Sequence, residues 1–456
     1  MDFDARAFAD RLCRFRSTAG QEAPAADWVR ARLEELGFET YTWEADADLL
    51  AGHPSFPDDP GELSTDGRRS VAGVLGVGDA DPAGGDGYPT VVLNGHLDVV
   101  PATREEWSSD PFEPVWRGGG ATDDGTGDAG PGEPAETGEV DGDEEDDVET
   151  LTARGAADMK AGVTACVGAA LDAHAAVASG AADADARIVV EAVAGEEDGG
   201  YGAATAALSN PYPFERDAAI VAEPTELRPV VACQGSLMAR LRLTGESAHA
   251  ATRWVGEDVL PRFEAIRRAF AALETERGEA VTHPLYAGFP VPCPVVCGTV
   301  EAGSWASTVP ADLTAAFRIG VLPGETVAEV EETFRERLAT VVDDDPWLRT
   351  HPPEFARFSV QFEPSEIAAD EPIVEAVRAG MAAAGLGDAA PEGATYGADS
   401  RHYVDAGIPT VLFGPGSISE AHHPDETVEW AEVERAREVI AAAVLRFATE
   451  QASRSA

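Results

Sequence analysis

Apolar residues recur at helical spacing from Phe3 to Leu36, where Gly37 ends the run, so the pattern predicts a helix across the amino-terminal segment. Beyond it the period changes. Short apolar runs alternate with helical stretches: YPTVVLNG at 88–95, an alanine-rich helix after Lys160, ARIVVEAVAG at 186–195, a helix near 201–209, and DAAIVAE at 217–223. The runs VVL, IVV and AIVA are continuous rather than alternating, which suits strands covered on both faces in an α/β sheet.

Near residue 232 the pattern shifts again. SLMARLRLTG (236–245), a helix from Gly256 to Arg277, CGTVEAG (297–303), LTAAFRIGV (313–321), a helix from Glu325 to Val342 and FARFSVQF (355–362) read as β, α, β, β, α, β. That succession is the signature of a ferredoxin-like split unit. EPIVEAVRAGMAAAG then reads as an amphipathic helix, TVLFG (410–414) as a buried strand, and Val428 to Ala448 as a terminal helix. The expected organisation is a larger α/β unit, residues 1–231 and 365–456, interrupted by a smaller one at 232–364. From Gly118 to Glu149 the chain has 32 residues, 13 of them acidic, with no basic or aromatic side chain. Such a stretch buries too little apolar surface to order itself and is expected to be a solvated loop.

Composition narrows the function classes. Asp and Glu number 83 against 33 Lys and Arg, for a formal charge of −50. An acid excess of this size argues against nucleic-acid binding, which rests on basic side chains neutralising phosphates, and against adsorption to an anionic leaflet. No uncharged run approaches the roughly 20 apolar residues of a spanning helix. The start, MDFDARAFADRLCRF, lacks the basic region and apolar core of an export signal. Cys13, Cys166, Cys233, Cys293 and Cys297 are scattered and odd in number. They do not form a disulfide framework, and a reducing cytoplasm is expected.

Several chemistries drop out on motif grounds. Lys160, the only lysine, is followed by Ala161, so no P-loop exists. No G-x-S-x-G elbow occurs. GVLGVGDA (73–80) lacks the third glycine of a dinucleotide site. What remains is a series of carboxylates and imidazoles where strands end, the place at which open α/β sheets form binding crevices. His96 and Asp98 lie in NGHLDVVP, Asp158 in RGAADMKAG before a helix, Glu196 and Glu197 in AGEEDGG, Glu223 at the end of DAAIVAE, and His422 and His423 in EAHHPDE. The i, i+2 spacing of His96 and Asp98 in extended chain puts both side chains on one side, so Asp98 could orient the imidazole.

Taken in order, GHLDVVP, RGAADMKAG, GEEDGG, AEPT, GESAHAA, FGPG and AHHPDE resemble the dinuclear zinc amidohydrolase and peptidase family that includes acetylornithine deacetylase, succinyl-diaminopimelate desuccinylase, aminoacylase and carboxypeptidase G. The resemblance covers essentially the whole chain. It implies a zinc-peptidase-like, mixed-sheet α/β catalytic domain with an inserted ferredoxin-like lid through which two copies dimerise. It implies that Asp158 bridges two metals, that His96 and Glu223 complete one site, and that Glu197 and His422 complete the other; His423 falls at a variable place. Glu196 corresponds to the family's general base, His249 to a histidine that stabilises the oxyanion, often in the partner subunit's active site, and Arg401 to the arginine that pairs with a substrate carboxylate. Asp399 is expected to position the Arg401 loop. Two Zn²⁺ ions about 3.5–4 Å apart can share a water, lower its pKa and polarise an amide carbonyl, and Co²⁺ or Mn²⁺ could substitute. Two departures stand out: an Asp98-to-Asp158 gap roughly double the usual one, and Ser307 where many members carry Asn.

The expected function is therefore hydrolysis of the N-acyl amide of a small amino-acid derivative, as in the acetylornithine and succinyl-diaminopimelate deacylases, with a dipeptidase or carboxypeptidase as the alternative. A non-catalytic binding protein on the same fold predicts gaps among the ligands, and there are none. A pyridoxal-phosphate enzyme would have Lys160 as its only Schiff-base donor.

Acid residues spread along a chain of ordinary apolar content read as adaptation to molar intracellular salt, where screening over a few ångströms removes self-repulsion. Lowering KCl is expected to unfold the protein. Thermal melts from molar to dilute KCl check this, and a melting temperature indifferent to salt overturns it.

Overall fold

The computed structural model describes residues 3–85, 87–118, 148–387 and 389–455. Most of the acidic stretch expected to be a solvated loop, residues 119–147, lies outside the described residues. The chain on either side of it is tied down, since Val115–Arg117 pairs with Thr150–Thr152, which in turn pairs with Thr427–Glu429.

The larger unit is built on a nine-stranded mixed sheet. Its strands run in the order Glu39–Glu44, Arg69–Val77, Ala186–Val193, Thr90–His96, Ala218–Val221, Thr410–Leu412, Val230–Cys233 and Ser365–Glu366, with Glu392–Ala394 beside Val230–Cys233. The four strands from Ala186–Val193 to Thr410–Leu412 are parallel, and the outer pairs Glu39–Glu44/Arg69–Val77 and Val230–Cys233/Ser365–Glu366 are antiparallel. Thr90–His96 and Ala186–Val193 are buried at every position, as continuous apolar runs require when helices cover both faces. The stretch Ala156–Ala178 is long and apolar enough to cross a membrane, yet most of it is buried inside the fold, where it packs against the sheet and the terminal helix Trp430–Ser455. It is a core element. Gly162 lets its first turn reach the sheet: a Cβ there would stand 2.2 Å from the Ala222 carbonyl oxygen.

The smaller unit is a four-stranded antiparallel sheet ordered Val295–Ala302, Asp312–Val321, Gly235–Thr244, Glu354–Arg357. Helices Leu260–Ala280 and Val327–Asp344 cover one face, and Thr326 and Glu329 form a capping box at the start of the second. Its core is separate from that of the large sheet. Phe270 stands edge-on to Phe317, Phe334 and Phe355 there. The outer strand Val295–Ala302 is mostly exposed, and Val296, Val300, Trp254 and Trp305 present bare apolar surface.

Several boundaries differ from the pattern reading. The amino-terminal helix is two helices, Ala5–Cys13 and Ala23–Glu35, because the chain turns between them at Gly20 (φ +74°). The helix expected from Gly256 starts at Leu260, after a short turn over Ala250–Val255. The strand expected over 355–362 stops at Arg357, before Ser359 adopts a left-handed φ of +58°. The terminal helix begins at Trp430, since Thr427–Glu429 is claimed by strand pairing. Val230–Cys233 still belongs to the large sheet, so the chain crosses to the smaller one at Gln234.

Candidate metal centre

His96 is the last residue of its strand and is buried. Its Nδ1 lies 2.9 Å from the Asp98 carbonyl oxygen, and its Nε2 lies 3.0 Å from Asp158 Oδ1. A proton on Nδ1 donated to that carbonyl leaves Nε2 as a free donor atom facing Asp158. Glu223 follows the adjacent parallel strand Ala218–Val221. Asp158 precedes the helix Ala161–Ala178 in a non-helical conformation, and its peptide bond to Met159 is cis. His422, in the loop before the terminal helix, lies with Nε2 3.0 Å from Glu197 and 3.6 Å from Asp158.

Two groups of donor atoms result among the described residues, each within 4.8 Å: His96, Asp158 and Glu223, and Asp158, Glu197 and His422. Asp158 is common to both. The structure thus brings together all five residues singled out as ligands, and His423 points elsewhere, its Nδ1 against the Pro424 carbonyl. A cavity of about 540 Å³ opens over the second group and Glu223, with Glu196 in its wall.

The electrostatics fit a cation. Burial is the largest influence on Glu196 and Glu223 and, with neighbouring carboxylates, pushes both well above the usual range. Burial also raises Glu197, against the lowering effect of His422. At His96 burial favours the neutral ring, but Asp158, Asp98 and Glu223 outweigh it and hold the pKa well above normal. Gathering like charges where water is excluded is costly unless positive charge shares the space. Three carboxylates and two imidazoles are hard and borderline donors suited to divalent ions such as Zn²⁺, Co²⁺ or Mn²⁺.

Asp98 plays a different part from the expected one. Its carboxylate is 3.7 Å from His96 Nδ1, beyond hydrogen-bond reach, and only its backbone carbonyl orients the ring. The carboxylate instead accepts from the amides of Gly195 (2.8 Å), Glu196 (3.2 Å) and Glu197 (2.9 Å). It holds the turn that carries both glutamates. That turn is anchored from the other side by Arg68, which is buried, pairs with Asp198, and donates to Glu22 at 2.7 Å.

The remaining expectations divide. Arg401 does not line the cavity: it is 4% exposed, donates to the Gly199 carbonyl at 2.6 Å and lies 3.8 Å from the centroid of the Phe362 ring. Its short helix, Ser400–Asp405, turns it inward. Asp399 is buried with no hydrogen-bond partner on either oxygen, so it does not hold that loop by hydrogen bonding. Burial pushes its carboxyl up to about 7. His249 is exposed on the smaller unit, accepts from the Ala251 amide at 3.1 Å, and does not reach the cavity of its own chain. Lys160 is buried and donates to the Phe15 carbonyl at 3.0 Å, tying the turn after the first helix to the Asp158 segment.

Arg318, which the pattern reading passed over, is among the described residues the one basic side chain in the cavity wall apart from His422. Its neighbours Phe317 and Ile319 face the core of the smaller unit, so strand alternation placed Arg318 on the other face. Nothing local says that this face looks across at the carboxylates.

The model of peptidase family M20/M25/M40 matches residues 127–446. Acetylornithine deacetylase of Proteus mirabilis is 26% identical over 364 residues, covering 80% of this chain and 81% of that protein. Among solved structures, a metallo-carboxypeptidase of the M20 family from Sulfolobus solfataricus aligns with a TM-score of 0.67 at 14% identity, over 98% of this chain and 100% of its own. A dinuclear metal-binding peptidase of the M20 family from Bacillus subtilis aligns with a TM-score of 0.56 at 16% identity, over 97% of this chain and 99% of its own.

Replacing Asp98 by Ala strips three amides of their acceptor and loosens the Glu196–Glu197 turn. The expected outcome is a loss of roughly 10–100-fold in kcat, the usual effect of removing a residue that orients a site, with the fold retained by circular dichroism. An unchanged kcat refutes the assignment.

Proposed function

The chain belongs to peptidase family M20/M25/M40, and from that premise we propose that it hydrolyses the N-acyl amide bond of a small, carboxylate-bearing amino-acid derivative. It is a metal-dependent amidohydrolase. The carrying observation is that Glu196 lines the same cavity as Asp158, Glu197, Glu223 and His422 yet belongs to neither donor group. A buried carboxylate beside a metal centre but outside it is free to move a proton.

His96, Asp158 and Glu223 would hold one divalent ion, and Asp158, Glu197 and His422 a second. When bound, such a pair supplies an acidified water and a polarised substrate carbonyl. Glu196 takes the water's proton at its carboxylate and delivers it to the departing nitrogen, so that the C–N bond breaks to leave an acid and an amine. Arg318, across the cavity, pairs with a substrate carboxylate, and Met238, Phe362 and Ile418 offer an apolar wall to the rest of the molecule. The acyl group and amino acid of the acetylornithine or succinyl-diaminopimelate deacylases are the first choice, supported by the Proteus mirabilis relative. A carboxypeptidase or dipeptidase is the second reading, favoured by the same Arg318, since a peptide's terminal carboxylate asks for the same partner.

The smaller unit is read as a ferredoxin-like lid and as the dimer contact. In support, Ser236, Met238 and Arg318 reach the cavity from its sheet, while Trp254, Trp305 and the exposed strand Val295–Ala302 leave an apolar edge open. Such an edge calls for a partner strand. An extra copy would also bring a second His249 into play.

Two measurements test these readings. In molar KCl, with N-acetyl, N-succinyl and N-formyl amino acids and dipeptides as substrates, Glu196→Gln should keep its metal and lose at least about 10²-fold in rate, a typical share for a general base. Undiminished turnover removes Glu196 from its role. Sedimentation should give twice the chain mass of 47.7 kDa, and Val300→Glu should shift the protein to monomer. A wild type that sediments as a monomer overturns the dimer.

A further inference from the structure

We infer that Arg154 and Glu426 are positioning residues that fasten the Asp158 segment to the His422 loop and thereby set the affinity of one of the two metal positions, the one formed by Asp158, Glu197 and His422. The inference rests on the metal-centre reading above.

Glu426 is 1% exposed, and both its oxygens are fully engaged. Oε1 accepts from the amides of Ala157 (2.8 Å) and Asp158 (3.0 Å), and Oε2 accepts from the Gly155 amide (2.9 Å) and the Arg154 guanidinium (2.8 Å). One carboxylate therefore shapes the whole turn from which Asp158 projects. Arg154 is 3% exposed, lies under the Trp107 ring, and donates onward to the carbonyls of His423 (3.3 Å) and His422 (3.4 Å). The guanidinium fork suits this bridging, because it reaches a carboxylate and two carbonyls at once.

The His422 loop needs such support. His422 and Asp425 both adopt left-handed φ values, +63° and +56°, which non-glycine residues hold only when neighbours impose them. Asp425 is fixed by the Ser108 amide (2.9 Å) and hydroxyl (2.8 Å), and His422 by Arg154. The other donor group is held differently. His96 ends its strand and Glu223 lies two residues beyond the end of the neighbouring parallel strand, so both are placed by the large sheet. Loss of the Arg154–Glu426 latch should thus fall on one metal position more than on the other.

The test is Zn²⁺ binding by titration calorimetry to metal-stripped protein in molar KCl. Wild type, Arg154→Met and Glu426→Gln are compared with His422→Ala and His96→Ala as references for each position. Expected are two ions in wild type, and in Arg154→Met an isotherm like that of His422→Ala, with one ion retained and the other weakened by roughly 10–100-fold. Arg154→Lys, which keeps the charge and one contact, should restore part of that loss. Glu426→Gln should show the same asymmetry when titrated well below its melting temperature, which falls because the buried Arg154 guanidinium loses its carboxylate. Variants that bind both ions as wild type does, that lose both alike, or that fail to fold even as Arg154→Lys, overturn the latch. Fewer than two ions in wild type would instead remove the metal-centre reading beneath it.

Discussion

The structure depends on one electrostatic constraint: Asp158, Glu197, Glu223 and Glu196 are held around a single cavity, largely away from water, with the imidazoles of His96 and His422 set against them. Left to themselves these groups repel, and burial raises three of them toward the protonated form. What keeps them together is backbone geometry. One parallel strand ends at His96 and its neighbour just before Glu223, and Asp98 and Glu426 bind the amides of the two irregular turns that carry Glu197 and Asp158. Carboxylates outside the donor groups thus shape the loops on which the ligands sit.

The same economy explains where the few bases went. Arginine is present and lysine nearly absent, and the buried arginines are spent on structure: Arg68 on Glu22 and Asp198, Arg154 on Glu426 and the His422 loop, Arg401 on Gly199 and Phe362. A planar fork can serve several acceptors at once and tolerates burial against an aromatic ring, which an ammonium does poorly. Lys160 is the exception. It is buried, its pKa is pressed down to about 8 chiefly by desolvation, and its donor goes to a backbone carbonyl.

The cavity belongs to both units. The large sheet supplies the carboxylates, and the smaller sheet supplies Ser236, Met238 and Arg318. The wall of the cavity is therefore drawn from elements packed on two separate hydrophobic cores.

How much of this was legible in the chain depended on range. Continuous apolar runs leading to His or Glu located the parallel strands and the candidate donor residues at or just past their ends, because strand periodicity and strand termini are local properties. The βαββαβ succession was likewise readable from local periods. Side-chain destinations were not. Asp98 and His96 share a side of the chain, but only the fold decides that the Asp98 carboxylate is captured by three amides nearly a hundred residues away. Motif resemblance pointed to Arg401 as the partner for an anion and nothing local pointed to Arg318, yet packing turned the first under Phe362 and the second into the cavity. Glu426 looked like one acid among 83 until its two oxygens met the Asp158 turn. The sequence by itself determined which elements form and where chemistry can sit, since those follow from nearest neighbours. Tertiary structure alone decided which polar groups meet, since a buried hydrogen bond is fixed by the packing of segments distant along the chain.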